Sequence, residues 1–176
     1  MDYITIILTA IYFILPAYFA NMSPIFANVL NLPFWFPISK KMFWENKTYR
    51  WFISWIIWAI LILYLQRYLQ NLWYFESYRL LDYNTINIFF YWFLFWFGAL
   101  FWDLVESFFK RRIGIAPWKP WVPFDQIDLI IWAIIFIYPF YHLEIKYIIV
   151  LLIFSPFLHF LVNVIWYKLW FKKVWR

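Results

Sequence analysis

Cysteine is absent from this 176-residue chain, and glycine and charged residues are scarce. Without cysteine the protein has neither a disulfide framework nor a thiolate metal site. The two glycines are too few for the glycine run whose backbone amides hold phosphates in a P-loop. Charged residues make up only 14% of the chain and hydrophobic residues 67%, whereas a soluble domain averages about 25% charged and about 45–50% apolar residues. The composition therefore excludes a soluble globular domain and indicates an integral membrane protein.

Five apolar segments are long enough to cross, or nearly cross, a hydrocarbon core of about 30 Å. They cover residues 4–20, 51–65, 86–104, 129–141 and 147–171. The fourth is short, and we expect it to form a hairpin with the fifth because only five residues separate them. A segment inside a bilayer must satisfy its own backbone hydrogen bonds, so each span should be a helix. The sequence predicts an all-α, polytopic membrane protein of about five transmembrane helices, forming a single domain over residues 1–176.

The basic residues predict the orientation of these spans. Twelve of the 15 lysines and arginines lie in residues 21–50, 105–128 and 168–176, four in each segment. Loops rich in lysine and arginine stay on the cytoplasmic side of a membrane. The pattern therefore predicts cytoplasmic loops at about 21–50 and 105–128, a cytoplasmic C-terminus and an N-terminus outside. Because topology accounts for the net charge of +6, we expect no nucleic-acid partner.

The stretch over residues 102–128 has carboxylates near both ends and a Lys-Arg-Arg cluster between them. If both ends of the stretch are helical, its polar side chains lie on one face of each helix. Positions i, i+4, i+7 and i+8 share a face of the first helix, and positions i and i+3 share a face of the next. These residues are Asp103, Ser107, Lys110 and Arg111 on the first face, and Asp125 and Asp128 on the second. Carboxylate oxygens suit Mg²⁺, and cationic donors suit phosphoryl oxygens. The stretch predicts a magnesium and phosphate site; a basic topology anchor is the alternative interpretation.

The first basic loop contains Lys47, Thr48 and Arg50 directly before the second span. Two cations and a hydroxyl could form a phosphate cradle, because charge-assisted hydrogen bonds to phosphate are strong and directional. A solvated basic surface is the alternative. His142 and His159 have no spaced partner, which favours packed or hydrogen-bonded histidines over metal ligands.

Four ordered motifs resemble the CDP-archaeol synthase family, which belongs with the membrane CTP-dependent phosphatidate cytidylyltransferases. The motifs are ILPAYFANMSP, KTYR, DLVESFFKRRIGI and PFDQID. The resemblance implies Mg²⁺-dependent transfer of a cytidylyl group from CTP to a lipid phosphate, with release of pyrophosphate. In the archaeal members that lipid is digeranylgeranylglyceryl phosphate. It also implies a multi-pass protein of the cell membrane whose active site faces the cytoplasm among membrane lipids.

The resemblance assigns roles to the residues of these motifs. The implied catalytic residues are Asp103, Asp125, Asp128 and Lys110, and the three aspartates are the implied Mg²⁺ ligands. The implied substrate-binding residues are Asn21, Ser23, Lys47, Thr48, Arg50, Ser107, Arg111 and Gln126. A diacyl lipid phosphate is the second substrate class that the sequence leaves open.

Two other functions fit parts of the pattern. A CTP-dependent polyprenol or phytol kinase would share CTP, Mg²⁺ and the membrane, but it would need a base to accept a proton from its alcohol. PFDQID disfavours it by resemblance. A non-catalytic membrane protein, either an inactive relative or a small transporter, is the other alternative. A transporter should show polar residues at mid-membrane depth or inverted repeats, and the chain offers only His159 and Asn163.

The chain has 15 tryptophans, and several stand where the resemblance implies glycine. These are Trp51 after KTYR, Trp102 before the motif aspartate and Trp132 early in the fourth span; Trp44, Trp55, Trp96 and Trp118 also suit glycine. Glycine permits close approaches that an indole ring would fill. We hypothesise that the gene reads UGA as glycine and that these codons were translated as tryptophan.

Overall fold

The computed structural model describes residues 2–40, 47–115, 121 and 124–169, without the side chains of Pro24 and of residues 124–126. Within these residues five α-helices follow one another. They are α1 (Tyr3–Val29), α2 (Tyr49–Asn71), α3 (Ile88–Arg112), α4 (Phe124–Ile137) and α5 (Ile145–Lys168), with a short 3-10 helix over Glu76–Tyr78 between α2 and α3. The described residues form no strand, only an isolated bridge between Pro37 and Thr48. The prediction of an all-α fold is confirmed.

Four of the helices, α1, α2, α3 and α5, are long and apolar enough to cross a membrane. The fourth in chain order, α4, has 14 residues, which at about 1.5 Å per residue is shorter than a hydrocarbon core of about 30 Å. It packs on both α3 and α5, so the expected hairpin with α5 forms. The chain is therefore a polytopic membrane protein, and its orientation stays a prediction.

The helices extend further into the basic segments than the apolar runs indicated. Residues 21–29 continue α1, and residues 105–112 continue α3, where loops were predicted. The physical reason is that apolar residues mark where a helix is buried and not where it ends; in residues 105–112, glutamate, lysine and arginine are good helix formers. Lys110, Arg111 and Arg112 occupy the last turn of α3, where cations interact favourably with the helix dipole.

Two apolar clusters fill the bundle. The larger includes Phe13, Leu63, Phe95, Ile130 and Leu151, and it lies toward the ends of the helices joined by residues 72–87 and 138–144. The smaller lies toward the opposite, basic ends and consists of Ala20, Trp51, Trp55, Ala59, Ala99, Leu100 and Leu129. This cluster lies directly beneath the polar residues at the basic ends of the helices.

Three helices end with a residue in the left-handed backbone region: Asn31 (φ 49°), Trp73 (φ 62°) and Gly114 (φ 77°). At the end of α2, the N–H of Trp73 donates to the carbonyl of Gln70, and the N–H of Tyr74 donates to that of Leu69. This is the Schellman motif, in which glycine or asparagine usually takes the left-handed position because a larger residue is strained there. Trp73 is the exception among the three.

Gly98 allows α3 and α4 to approach closely. A Cβ atom at this position would lie 2.8 Å from the carbonyl oxygen of Trp132. That oxygen belongs to the backbone, so the two helices would have to move apart to admit a methyl group.

We therefore expect Gly98→Ala to destabilise the protein by about 1–3 kcal/mol, the usual cost of overpacking. At an open helical position the same change stabilises by about 1 kcal/mol, so the sign of the effect is diagnostic. Thermal unfolding of the purified protein in detergent measures it. A higher melting temperature for Gly98→Ala would contradict the close contact between α3 and α4.

Candidate active site

A polar cavity of about 190 Å³ opens among the basic ends of the helices. All five helices contribute to its wall. The lining residues are Asn21 from α1, Trp55 from α2, Ala99, Asp103, Glu106 and Lys110 from α3, Asp128 and Leu129 from α4, and His159 from α5. The cavity brings together four of the predicted site residues: Asn21, Asp103, Lys110 and Asp128.

The α3 wall of the cavity is a row of charged side chains. Asp103, Glu106 and Lys110 are at i, i+3 and i+7, so they share one face of the helix. The Lys110 ammonium lies 3.0 Å from the carboxylate of Glu106. Glu106 is buried, and a buried carboxylate costs free energy unless it is paired. The Lys110 pair therefore holds both side chains in place at the cavity wall.

Glu106 is a site residue that the sequence analysis missed. The signal was present, because Glu106 is an acidic residue inside an apolar helix, three positions after Asp103. The resemblance implies no role for it, and the predicted polar face contains only the i, i+4, i+7 and i+8 positions.

The first basic loop folds back so that Lys47 reaches α3. The N–H of Ile38 donates to the carbonyl of Lys47 at 2.8 Å, and the N–H of Tyr49 donates to that of Phe36 at 3.0 Å. The Lys47 ammonium then donates to a carboxylate oxygen of Asp103. A loop that is distant in sequence therefore places a cation directly beside the Asp103 carboxylate.

The other two predicted residues of the first loop, Thr48 and Arg50, make contacts that stabilise the fold, and they do not line the cavity. The Thr48 hydroxyl caps α2 by accepting from the N–H of Trp51 at 3.3 Å. The Arg50 guanidinium donates to the carbonyl of Leu32 at 3.2 Å and to the Asn28 side chain at 2.6 Å. Both residues fix the fold-back of the loop, and of the phosphate cradle predicted from Lys47, Thr48 and Arg50 only Lys47 contacts a residue of the cavity wall, Asp103.

Three other predicted substrate-binding residues lie away from the lining. Ser23 is fully buried, and its carbonyl accepts a hydrogen bond from the Ser54 hydroxyl at 3.0 Å. Arg111 donates to the carbonyl of Ile115, which closes the end of α3. Ser107 is half-buried on α3 and is not among the lining residues. The side chains of Asp125 and Gln126, in the first turn of α4, fall outside the described residues.

The carboxylates suit a hard cation by their chemistry. Asp103 and Asp128 present oxygen donors to one cavity from two different helices, and oxygen is the donor that Mg²⁺ prefers. Among the side chains that the structure describes, no group of three or more histidine, cysteine or acidic residues could hold a metal ion. The predicted third ligand, Asp125, is outside that set, so the described part of the site supplies two of the three predicted ligands.

Tryptophan side chains crowd the site. Trp55 is fully buried on the cavity wall, Trp51 contacts it with ring centroids 5.4 Å apart, and Trp102 stacks on Trp132 at 4.7 Å. The indole N–H groups of Trp55, Trp96 and Trp102 are buried and find no acceptor among the described residues. A buried indole N–H usually has a partner. Trp44 lies outside the described residues.

His159 is the second residue whose place the sequence analysis missed. It was expected to be a packed or hydrogen-bonded histidine, and the structure places it, half-buried, on the wall of the same cavity as the charged row of α3. No spacing signal could have shown this, because its neighbours at the cavity come from other helices.

Comparison with known proteins identifies the family. The family model described as "CarS-like: CDP-archaeol synthase" matches residues 3–176. A CDP-archaeol synthase from Methanococcus maripaludis is 34% identical over 178 residues, covering 99% of both chains. Those from Thermococcus onnurineus and Pyrococcus furiosus are 36% and 33% identical, and each alignment covers at least 96% of both chains. No solved structure gives a significant match. The chain therefore belongs to the CDP-archaeol synthase family and is a cytidylyltransferase by membership of that family.

Proposed function

We propose that this protein transfers the cytidylyl group of CTP to the phosphate of an archaetidic-type lipid, giving a CDP-archaeol-type product and pyrophosphate. One observation carries the proposal: Asp103 and Lys110 of α3 share a cavity with Asp128 of α4, and Lys47 is joined to Asp103. Acidic and cationic side chains at one cavity are what a metal-assisted transfer between phosphates needs. The names of the relatives supply the substrates.

The proposed reaction exchanges one phosphoanhydride bond for another. An oxygen of the lipid phosphate attacks the α-phosphorus of CTP, and the bond from that phosphorus to the oxygen that bridges to the β-phosphate breaks. Pyrophosphate leaves with the electron pair. The lipid phosphate is already an anion, so no side chain has to remove a proton before the attack. Most of the acceleration should come from alignment and charge neutralisation.

The lysines supply the fixed positive charge. Lys47 and Lys110 stand beside carboxylates at the cavity, so both ammonium groups are held in place before the substrates arrive. We propose that Asp103, Asp125 and Asp128 hold Mg²⁺. When bound, the ion would neutralise negative charge on the CTP phosphates and on the leaving pyrophosphate. Stabilisation by preorganised charge is usually the largest single contribution to catalysis.

The site is proposed to face the cytoplasm. Its residues lie in the C-terminal parts of α1, α3 and α5 and near the starts of α2 and α4, which is the end of the bundle bearing the basic segments. Loops rich in lysine and arginine remain cytoplasmic, and CTP is a cytoplasmic nucleotide. Charge distribution and substrate supply therefore agree.

Position-labelled CTP distinguishes cytidylyl transfer from the kinase alternative. With label on the α-phosphate, the proposed reaction moves the label into the lipid, and with label on the γ-phosphate it releases the label in pyrophosphate. A kinase gives the opposite result. Digeranylgeranylglyceryl phosphate and saturated phosphatidic acid, offered in parallel, test the lipid class, and we expect the isoprenoid lipid to be preferred. Lipid labelled only from the γ-position would overturn the proposal.

Lys47→Met should lower kcat/KM for CTP by about 10–100-fold. The change removes a cation from the Asp103 carboxylate, and a charge-assisted hydrogen bond is worth about 1.5–3 kcal/mol. Lys168→Met is the matched control, because Lys168 is exposed at the end of α5, whereas Lys47 contacts Asp103 of the cavity wall. Steady-state kinetics with purified protein measure both. Equal activity of the two variants would remove Lys47 from the site.

A further inference from the structure

A polar stripe runs along one face of α5, the least buried of the four long helices. It consists of Ser155, His159 and Asn163 at i, i+4 and i+8. Ser155 and Asn163 are buried, and His159 lines the active-site cavity. Polar side chains within a membrane-spanning helix are costly, so they usually face the bundle interior and mark functional paths.

The opposite face of α5 is open to lipid. Ile153, Phe157 and Phe160 are exposed there at 65%, 60% and 52%, while the helix contacts α1 and α4 on its inner side. The width of α5 therefore separates the cavity from the acyl chains of the bilayer. The lipid substrate must reach the cavity from the bilayer, whereas CTP arrives from water, and among the long helices that line the cavity α5 is the least buried.

The two sides of the cavity also differ in charge. Asp103, Glu106 and Lys110 stand on α3 and Asp128 on α4, whereas α1 and α5 supply only Asn21 and His159. The lipid phosphate must be held in place and must keep enough negative charge to attack. Neutral or singly charged hydrogen-bond donors suit both needs. The carboxylate side suits the metal-bound triphosphate. The lining therefore divides into a nucleotide side and a lipid side.

Resting on the proposed function, we propose that His159 binds the phosphate of the lipid substrate and positions it for attack on CTP. The imidazole donates an N–H hydrogen bond to a phosphate oxygen that does not attack. The attacking oxygen is then turned toward the α3 and α4 side, where the α-phosphorus of CTP lies. This assigns to α5 the selection of lipid substrates that carry a phosphate.

The test compares His159→Ala and His159→Gln with Phe157→Ala, a change on the lipid face of the same helix. We expect His159→Ala to raise KM for digeranylgeranylglyceryl phosphate about 10–100-fold, the loss of one hydrogen bond to a charged group, and KM for CTP to change less than about threefold. Glutamine retains an N–H donor, so His159→Gln should recover part of the loss. Phe157→Ala should behave like the unmodified protein. A rise in KM for CTP, or an unchanged KM for the lipid in His159→Gln and His159→Ala, would overturn the assignment.

Equilibrium binding separates this inference from the proposed function. The affinity of the purified protein for digeranylgeranylglyceryl phosphate and for CTP can be measured without turnover. His159→Ala should weaken binding of the lipid phosphate and leave binding of CTP unchanged, even if the unmodified protein forms no CDP-lipid. Absence of CDP-lipid would count against the proposed function alone, and unchanged lipid binding in the variant would count against His159 alone.

Discussion

Asp103→Asn is expected to lower the rate of CDP-lipid formation about a thousandfold, the upper range for loss of one preorganised electrostatic group. Asparagine keeps the size of the side chain and removes its charge. The Asp103 carboxylate pairs with Lys47. It is also one of the two proposed Mg²⁺ ligands on the cavity wall, one from α3 and one from α4. The change therefore removes a proposed metal ligand and also frees the lysine to move.

The same reasoning extends to Asp128→Asn, which removes the α4 carboxylate from the same cavity. Asp82→Asn provides a control with the same chemical change. Asp82 lies in the connection between α2 and α3, where it accepts hydrogen bonds from Gln70 and from the N–H of Asn84. That variant should retain full kcat, although its loop is less ordered. Initial rates at saturating Mg²⁺ measure all three, and an Asp103→Asn protein with more than a tenth of normal activity would remove Asp103 from the metal role.

Glycine at Trp44, Trp51, Trp102 and Trp132 is expected to raise the rate of CDP-lipid formation by at least about a hundredfold over that of the printed chain. The stacked Trp102 and Trp132 rings lie between α3 and α4, and Trp102 directly precedes Asp103 in α3. Glycine would let substrate and backbone approach each other there. A hundredfold gain corresponds to about 2.7 kcal/mol of transition-state stabilisation.

A separate sign of glycine comes from the backbone at Trp73, which is outside the set of four substituted tryptophans. Trp73 takes the left-handed position of a Schellman motif, with φ 62°, and the equivalent residue after α3 is Gly114, with φ 77°. A left-handed residue with a Cβ atom costs roughly 1–2 kcal/mol. The buried indole N–H groups of Trp55 and Trp102 have no acceptor among the described residues, which also disfavours tryptophan at these two positions. Backbone geometry thus favours glycine at Trp73, and hydrogen bonding disfavours tryptophan at Trp55 and Trp102.

Two controls sharpen the tryptophan prediction. Glycine placed instead at the lipid-facing residues Phe89, Phe93, Phe101 and Phe157 should destabilise the helices by about 1 kcal/mol per site and give no gain in activity. Trp73→Gly should raise the melting temperature without changing the rate. The coding DNA gives the decisive comparison: we expect UGA at Trp51, Trp102 and Trp132. UGG at those codons would reject recoding.

The sequence predicted the helices because membrane spans must be apolar and must pair their own backbone groups. It also indicated that Asp103 and Asp128 belong together, since each stands at the same end of neighbouring spans. It could not show that Thr48 caps α2 or that Arg50 ties down the loop, because the same residue types serve phosphate binding and helix capping equally well. Glu106 and His159 were missed because their relation to the other lining residues depends on how helices rotate about their axes, and only packing determines that rotation.

The most direct test of the central claim is conversion of α-labelled CTP to CDP-lipid by the purified, folded protein, assayed with Mg²⁺ and with EDTA. The assay uses the printed chain and the version with glycine at Trp44, Trp51, Trp102 and Trp132, with digeranylgeranylglyceryl phosphate as acceptor. We predict that the glycine version forms labelled CDP-lipid and pyrophosphate in equal amounts, only when Mg²⁺ is present. No CDP-lipid from either folded protein would contradict the claim that this cavity performs cytidylyl transfer.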